Sequence, residues 1–211
     1  MIRHDVEQGT PEWQQLRLGI PTASSFDRIL TPKTMKLSAQ ARSYALELVA
    51  ETLIGRPLDE VNTAWIERGV FLEPEAVKSY EFSTDRQTEK VGFITTDDGL
   101  VGASPDRLLV DINGAVEIKC PAPNTHMRYL IDGFGADYVV QVQGQMLVGG
   151  FEYVDRYSYH PELPPAIERT YRDEAMIVAL KAALDEFNAM KFEILEKARA
   201  TGFFGSMEQA A

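Results

Sequence analysis

Two short stretches of this 211-residue sequence carry side chains able to hold a hard metal ion: Ser104-Pro105-Asp106 and Glu117-Ile118-Lys119. Successive side chains of a strand point to opposite faces, so Glu117 and Lys119 share one face and Ile118 takes the other. The turn sequence Asp111-Ile112-Asn113-Gly114 between the stretches is of a kind that closes hairpins and returns Glu117 to the neighbourhood of Asp106. Two carboxylates and an amine then converge, and oxygen donors of this kind suit magnesium or manganese. The bland alternative is a Ser-Pro-Asp turn plus a solvated Glu-x-Lys ion pair, each common on its own. On spacing alone the two readings stand level.

The elements that position these residues follow from pattern and punctuation. Thr10 caps a helix that opens at Pro11 and ends at Leu18-Gly19-Ile20-Pro21, and a short second helix is expected near Phe26–Leu30. A longer helix runs from just after Leu37-Ser38 to about Leu53, stopped by Gly55 and Pro57, and another from about Thr63 to Tyr80. In the latter, Ile66, Val70, Val77 and Tyr80 form an apolar stripe with Glu73 in its missing step. A carboxylate there sits at the exposed edge of the stripe or faces a cation, the edge being favoured. Strands are expected at Gln87–Thr95, Leu100–Ser104, Arg107–Val110, Ala115–Lys119 and Phe151–Tyr159, with Pro161, Pro164 and Pro165 barring extension of the last. Helices at Asp137–Val148 and Asp173 to about Arg199 complete the chain; Ile177, Leu180, Leu184, Phe187, Met190 and Ile194 give the final helix a core or subunit-interface face. The order predicts an α+β (mixed α/β) fold around one central sheet.

Composition bounds the function. The length fits one domain, the single cysteine, Cys120, excludes an internal disulfide, and no apolar run approaches the ~18 residues that a membrane helix needs. A cytoplasmic location is expected. The net charge of −11 opposes broad non-specific binding to nucleic acid, yet Pro11 to Leu46 carries Arg17, Arg28, Lys33, Lys36 and Arg42 against only Glu12 and Asp27. A focused cleft remains compatible with that distribution.

Five blocks, in order, resemble the lambda-type exonucleases, or YqaJ viral recombinase family: Trp13 through Ser24, Gly69 through Glu73, Gly102 through Asp106, Val116 through Pro121, and Tyr138 through Gln143. The resemblance implies a PD-(D/E)xK nuclease fold in one domain, 1–211, with N-terminal helices 10–55 binding a 5′ end, a core at 63–160 and a C-terminal helix at 173–199. It implies an enzyme that digests one strand of linear double-stranded DNA from its 5′ end to mononucleotides. The remaining 3′ overhang would pass to a single-strand annealing protein, in a bacterial or phage-infected cell. A homotrimer ring around DNA is also implied.

Carried across by motif, Asp106, Glu117 and the Ile118 carbonyl would be metal ligands, with two Mg2+ per site and Mn2+ able to substitute. Lys119 would contact the attacking water, as a neutral base beside the cations. Glu73 would hold a metal-bound water or approach the metal, Gln141 would position water or the scissile phosphate, and Arg17, Thr22 and Ser24 would grip the 5′-phosphate. A guanidinium fork suits phosphate, and hydroxyls at a helix start add neutral donors. Structural rivals exist: Arg17 paired with Glu12, Ser24 or Ser25 as a plain N-cap, and Gln141, Gln143 and Gln145 as polar positions of a semi-buried helix. Asp97 is left outside the site. Near His126 the arginine of the lambda enzyme is missing, and Arg128 is the nearest substitute. Another PD-(D/E)xK nuclease, or a DNA-binding scaffold without cleavage, are the competing functions.

Overall fold

A computed structural model describes residues 1–58 and 64–201 of the chain. Helix α1 (Pro11–Arg17) opens as its sequence dictates, with the Trp13 N–H donating to Thr10 Oγ1 and proline in the first turn. It is followed by a six-residue 3₁₀ helix, Ala23–Arg28, which lies earlier than the expected Phe26–Leu30 because Leu30 is drawn into a small hairpin, β2 (Leu30–Thr31) with β3 (Lys36–Leu37). Helix α2 (Ala41–Ile54) ends at Gly55, whose φ of 77° is left-handed. Helix α3 (Ala64–Thr84) extends past the expected Tyr80; its expected start at Thr63 and the Ile66 side chain lie outside the described residues.

The central sheet is mixed and five-stranded, in the order β10-β9-β8-β7-β4. Its members are β4 (Thr88–Glu89), β7 (Arg107–Leu109), β8 (Gly114–Lys119), β9 (Tyr153–His160) and β10 (Leu163–Tyr171). Strands β8 and β9 run parallel, so the chain between them must cross over, and it does so through α4 (Pro123–Asp132) and α5 (Val139–Gly149). The other pairs are antiparallel. A separate three-stranded sheet joins β1 (Ile2–His4), β5 (Phe93–Thr95) and β6 (Gly102–Ala103).

The expected central sheet is present, with smaller sheets in addition to it, and the single strand expected at Gln87–Thr95 is corrected. That segment divides at Gly92, where a Cβ would lie 1.9 Å from the Val6 carbonyl oxygen; the N-terminal segment presses on it and sends β4 and β5 to different sheets. Strand β9 ends at His160, before Pro161, as expected; the separate strand β10 accommodates Pro164 and Pro165 because it is an edge strand whose register shifts between Leu163 and Ala166.

The two faces of β8 meet different layers. Val116 and Ile118 join Ala76, Val77 and Tyr80 of α3 in one apolar cluster, while Ala115 packs with Val140 and Met146 of α5 in the main core. By alternation, Glu117 and Lys119 face the α5 side. Val77 and Tyr80 fulfil the expected stripe of α3, but Val70 is 68% exposed and lies at its open end. Helix α6 (Glu174–Ala200) is capped by Asp173, and its Ile177, Leu180, Leu184 and Phe187 are buried in the main core.

Candidate active site

The β7–β8 hairpin pairs Arg107 with Val116, which sets Asp106 beside Ile118. The Ile118 N–H donates to Asp106 Oδ2 at 2.6 Å. Lys119 Nζ donates to Glu117 Oε1 at 2.5 Å, and two amides one turn apart on α5 complete the shell. Gln141 Nε2 donates to Glu117 Oε1 at 2.7 Å, and Gln145 Nε2 donates to Glu117 Oε2 at 2.5 Å. Glu117 is only 3% exposed, so these donors are what make a buried carboxylate tolerable. An ionised carboxylate has about four lone-pair sites. Three are taken on Glu117, leaving acceptor capacity on Oε2.

Asp106 and Lys119 line an open cleft of about 660 Å³, together with Glu73, Ile118, Cys120 and Tyr138. Burial and the neighbouring Glu117 push the Asp106 carboxyl well above the usual carboxylate range; Lys119 and the Ile118 N–H act the other way, and Glu73 adds to the rise. Burial works against the Lys119 ammonium, yet Glu117 and Asp106 outweigh it and the pKa is raised. The neutral amine expected of Lys119 is thus not the form that the protein's own charges favour. Its Nζ also lies 4.7 Å from the ring centre of Tyr138, a residue with φ of 62° just before α5. Glu73 is half-buried with Arg107 Nη2 3.4 Å from its Oε1, so it is both at the edge of the stripe and facing a cation.

The Arg17 guanidinium lies 3.9 Å from the Trp13 ring centre, Nη1 donates to Ser104 Oγ at 3.4 Å and Nη2 donates to Thr22 Oγ1 at 3.3 Å. Thr22 and Ser24 share a hydrogen bond of 3.3 Å between hydroxyls. Ser24 is exposed while Thr22 is buried, its N–H donating to the Tyr44 hydroxyl. No side-chain cap bond is made at the 3₁₀ helix, so the N-cap reading fails there, and six residues of 3₁₀ helix give little of the dipole expected at that end. Ser104 also accepts from Trp13 Nε1 at 3.2 Å. This one hydroxyl joins the Arg17 group to the segment that carries Asp106.

The expected site residues are divided among three hollows: Arg17 and Thr22 line one of about 330 Å³, tied to the others through the Ser104 and Ser24 hydroxyls, while Glu73, Asp106, Ile118 and Lys119 line the cleft. Ser24, Tyr138 and Gln141 line a neighbouring hollow of about 410 Å³, and Tyr138 borders both it and the cleft. Gly144 makes this junction possible: a Cβ there would lie 2.3 Å from the Phe26 ring, so α5 rests directly on the 3₁₀ helix. Gln143 is structural, donating to the Tyr171 carbonyl and accepting from the Asp173 N–H. His126 is fully buried between Ser158 and the Pro164 carbonyl, and Arg128 pairs with Asp137 at 2.5 Å. Asp97 pairs with the amino terminus at 2.5 Å. Sequence reasoning missed Gln145 as a Glu117 partner and Arg107 beside Glu73; the four-residue spacing of Gln141 and Gln145 was the one available signal.

Among the described residues no group of three or more His, Cys, Asp and Glu is gathered as a metal cage. The side-chain donors brought together are the Asp106 and Glu117 carboxylates, with Glu73 lining the same cleft as Asp106, an all-oxygen set of the kind that suits a hard divalent cation.

The family match and the likeness to a solved exonuclease mark the chain as a nuclease, a hydrolytic enzyme. The chain belongs to the YqaJ-like viral recombinase domain family, whose model matches residues 12–152. It is similar to an alkaline exonuclease (LHK-Exo) from Laribacter hongkongensis, at 32% identity and a TM-score of 0.82, with 92% of this chain and 98% of that one covered. The same figures hold for that exonuclease in complex with dAMP. A phage related exonuclease from Haemophilus somnus 129PT shares the fold at 15% identity and a TM-score of 0.68, over 85% of this chain and 96% of that one. No curated protein matches the chain. Among the described residues no helix is long and apolar enough to cross a membrane.

Proposed function

We propose that this protein is a magnesium-dependent exonuclease that digests one strand of linear duplex DNA from its 5′ end, releasing mononucleotides. The observation that carries the reading is the hydrogen bond from Arg17 to Ser104 Oγ, which sets a phosphate-gripping guanidinium beside the segment bearing Asp106. Arg17, Thr22 and Ser24 receive the terminal 5′-phosphate, and stacking on Trp13 holds the guanidinium plane in place. Asp106, Glu117 and the Ile118 carbonyl would hold two Mg2+ ions, or Mn2+, whose chemistry is to neutralise the phosphoryl oxygens and support the attacking and leaving oxygens. Gln141 and Gln145 fix Glu117, and Lys119 Nζ hydrogen-bonds the attacking water. Release of mononucleotides accords with the complex of the Laribacter hongkongensis relative with dAMP.

In this reading the chain is a single nuclease domain working as a ring of three copies. The 3′ overhang is delivered to a single-strand annealing protein. Digestion of end-labelled linear duplex, with and without magnesium, tests it. Loss of the 5′-phosphorylated strand only when magnesium is added, with covalently closed circles spared, is the expected result. Equal cutting of closed circles overturns the end-gripping role, and loss from the 3′ end overturns the polarity.

A further inference from the structure

We propose that Arg107 is a positioning residue that holds the Glu73 carboxylate at the edge of the ion-binding cleft, an inference that rests on the metal-dependent reading above. Arg107 directly follows Asp106 and opens β7, and its side chain is 10% exposed. Its Nη1 donates to the Asp106 carbonyl at 3.2 Å, while Nη2 stands 3.4 Å from Glu73 Oε1. A single guanidinium thus spans the backbone of one carboxylate residue and the side chain of another. Glu73 borders two hollows: the cleft shared with Asp106 and Lys119, and a second of about 500 Å³ shared with Arg107 and Gln8. Arg107 lines only the second. The carboxylate is a partition with the cation behind it and the cleft in front.

Left alone, this carboxylate has little to fix it. Pro74 follows it inside α3 and has no N–H for the Val70 carbonyl, so the helix ladder lacks a bond at that turn. Val70, one turn earlier, is mostly exposed and gives no packing. Repulsion between its charge and that of Asp106 favours turning the side chain toward water. A planar fork can oppose this by spanning two acceptors, whereas a lysine supplies only a point charge.

The test is Mn2+ binding to the full chain without DNA, read from the electron paramagnetic resonance of free Mn2+, with a thermal midpoint for each variant. Arg107→Met and Arg107→Lys are each expected to weaken Mn2+ binding by about tenfold or more, the scale for outer partners of metal ligands. Glu73→Gln weakens it similarly, and adding Arg107→Met to Glu73→Gln brings no further loss. Unchanged or tighter binding in Arg107→Met, or additive losses in the double variant, overturns the inference. Should Arg107→Met fail to fold, Arg107→Lys decides alone, since it keeps the charge but cannot span both acceptors; wild-type affinity in it overturns the inference. A wild-type protein that binds no Mn2+ overturns the metal-dependent reading itself.

Discussion

At the residue scale the site turns on a buried carboxylate surrounded by donors. Glu117→Ala removes the acceptor for Lys119, Gln141 and Gln145 together, leaving Gln145 buried with neither amide atom satisfied. Beyond a loss of cleavage exceeding about a hundredfold, it should lower stability by roughly 1–3 kcal/mol, the cost of stranded buried polar groups. Lys119→Ala removes a half-buried donor and leaves both amides paired with Glu117, so cleavage should fall as far with a much smaller shift in a urea midpoint. Lys119 keeps part of its side chain open to the cleft, whereas Glu117 is buried. Arg17→Ala belongs to the same scale. It should slow degradation of 5′-phosphorylated duplex at limiting substrate by about tenfold or more while changing 5′-hydroxyl duplex little, since one charge-assisted contact of about 1.5–3 kcal/mol is lost only from the phosphate. Equal losses on both ends would remove Arg17 from the grip.

At the element scale, legibility followed locality. The hairpin that joins Asp106 to Glu117 and Lys119 was readable because strand alternation and a turn lie within one short segment. The partners that hold this group were not: Gln145 reaches Glu117 across a helical crossover, and Glu73 meets Arg107 between α3 and β7. Helix α4 hid behind Pro121-Ala122-Pro123, which reads as a turn although Pro123 serves as a helix start. Strand β1 had too few residues to show a pattern. Helix α6 was plain in its periodicity, but its link to the loop after α1 was not. Lys191, 8% exposed, donates from α6 to the Gly19 carbonyl at 2.6 Å. Gly19 has φ of 70° and no room for a Cβ, which would lie 2.2 Å from Thr52 Oγ1. Burial lowers the Lys191 pKa from 10.5 to about 8. Between those values the unfolded chain binds the extra proton, so stability rises with pH there; below about pH 8 the folded state carries the full cost of the buried ammonium. Urea midpoints of the wild type and Lys191→Met, taken from about pH 7 to about pH 10, should therefore diverge in favour of the wild type as pH rises. A difference that stays constant across that span would place the Lys191 proton elsewhere.

At the scale of the whole molecule, the excess of acid sets how DNA is held. A net charge of −11 opposes a broad basic contact that would release many counterions, and the proposed phosphate grip uses a single arginine. Binding of 5′-phosphorylated duplex, followed by fluorescence anisotropy without divalent ions, should show a shallow dependence of log K on log salt, with a slope of about −1 to −3. A slope beyond about −6 would demand a wide basic surface. The parallel pairing of β8 with β9 has a consequence for how such a protein can lose its chemistry. Because Val116 and Glu117 point to opposite sides of the same strand, one extra residue inserted after Ala115 would turn valine toward the glutamines of α5 and drive the acid into the tyrosine-lined layer under α3. A copy of the gene with that one codon added would have its catalytic alphabet intact and its grammar reversed.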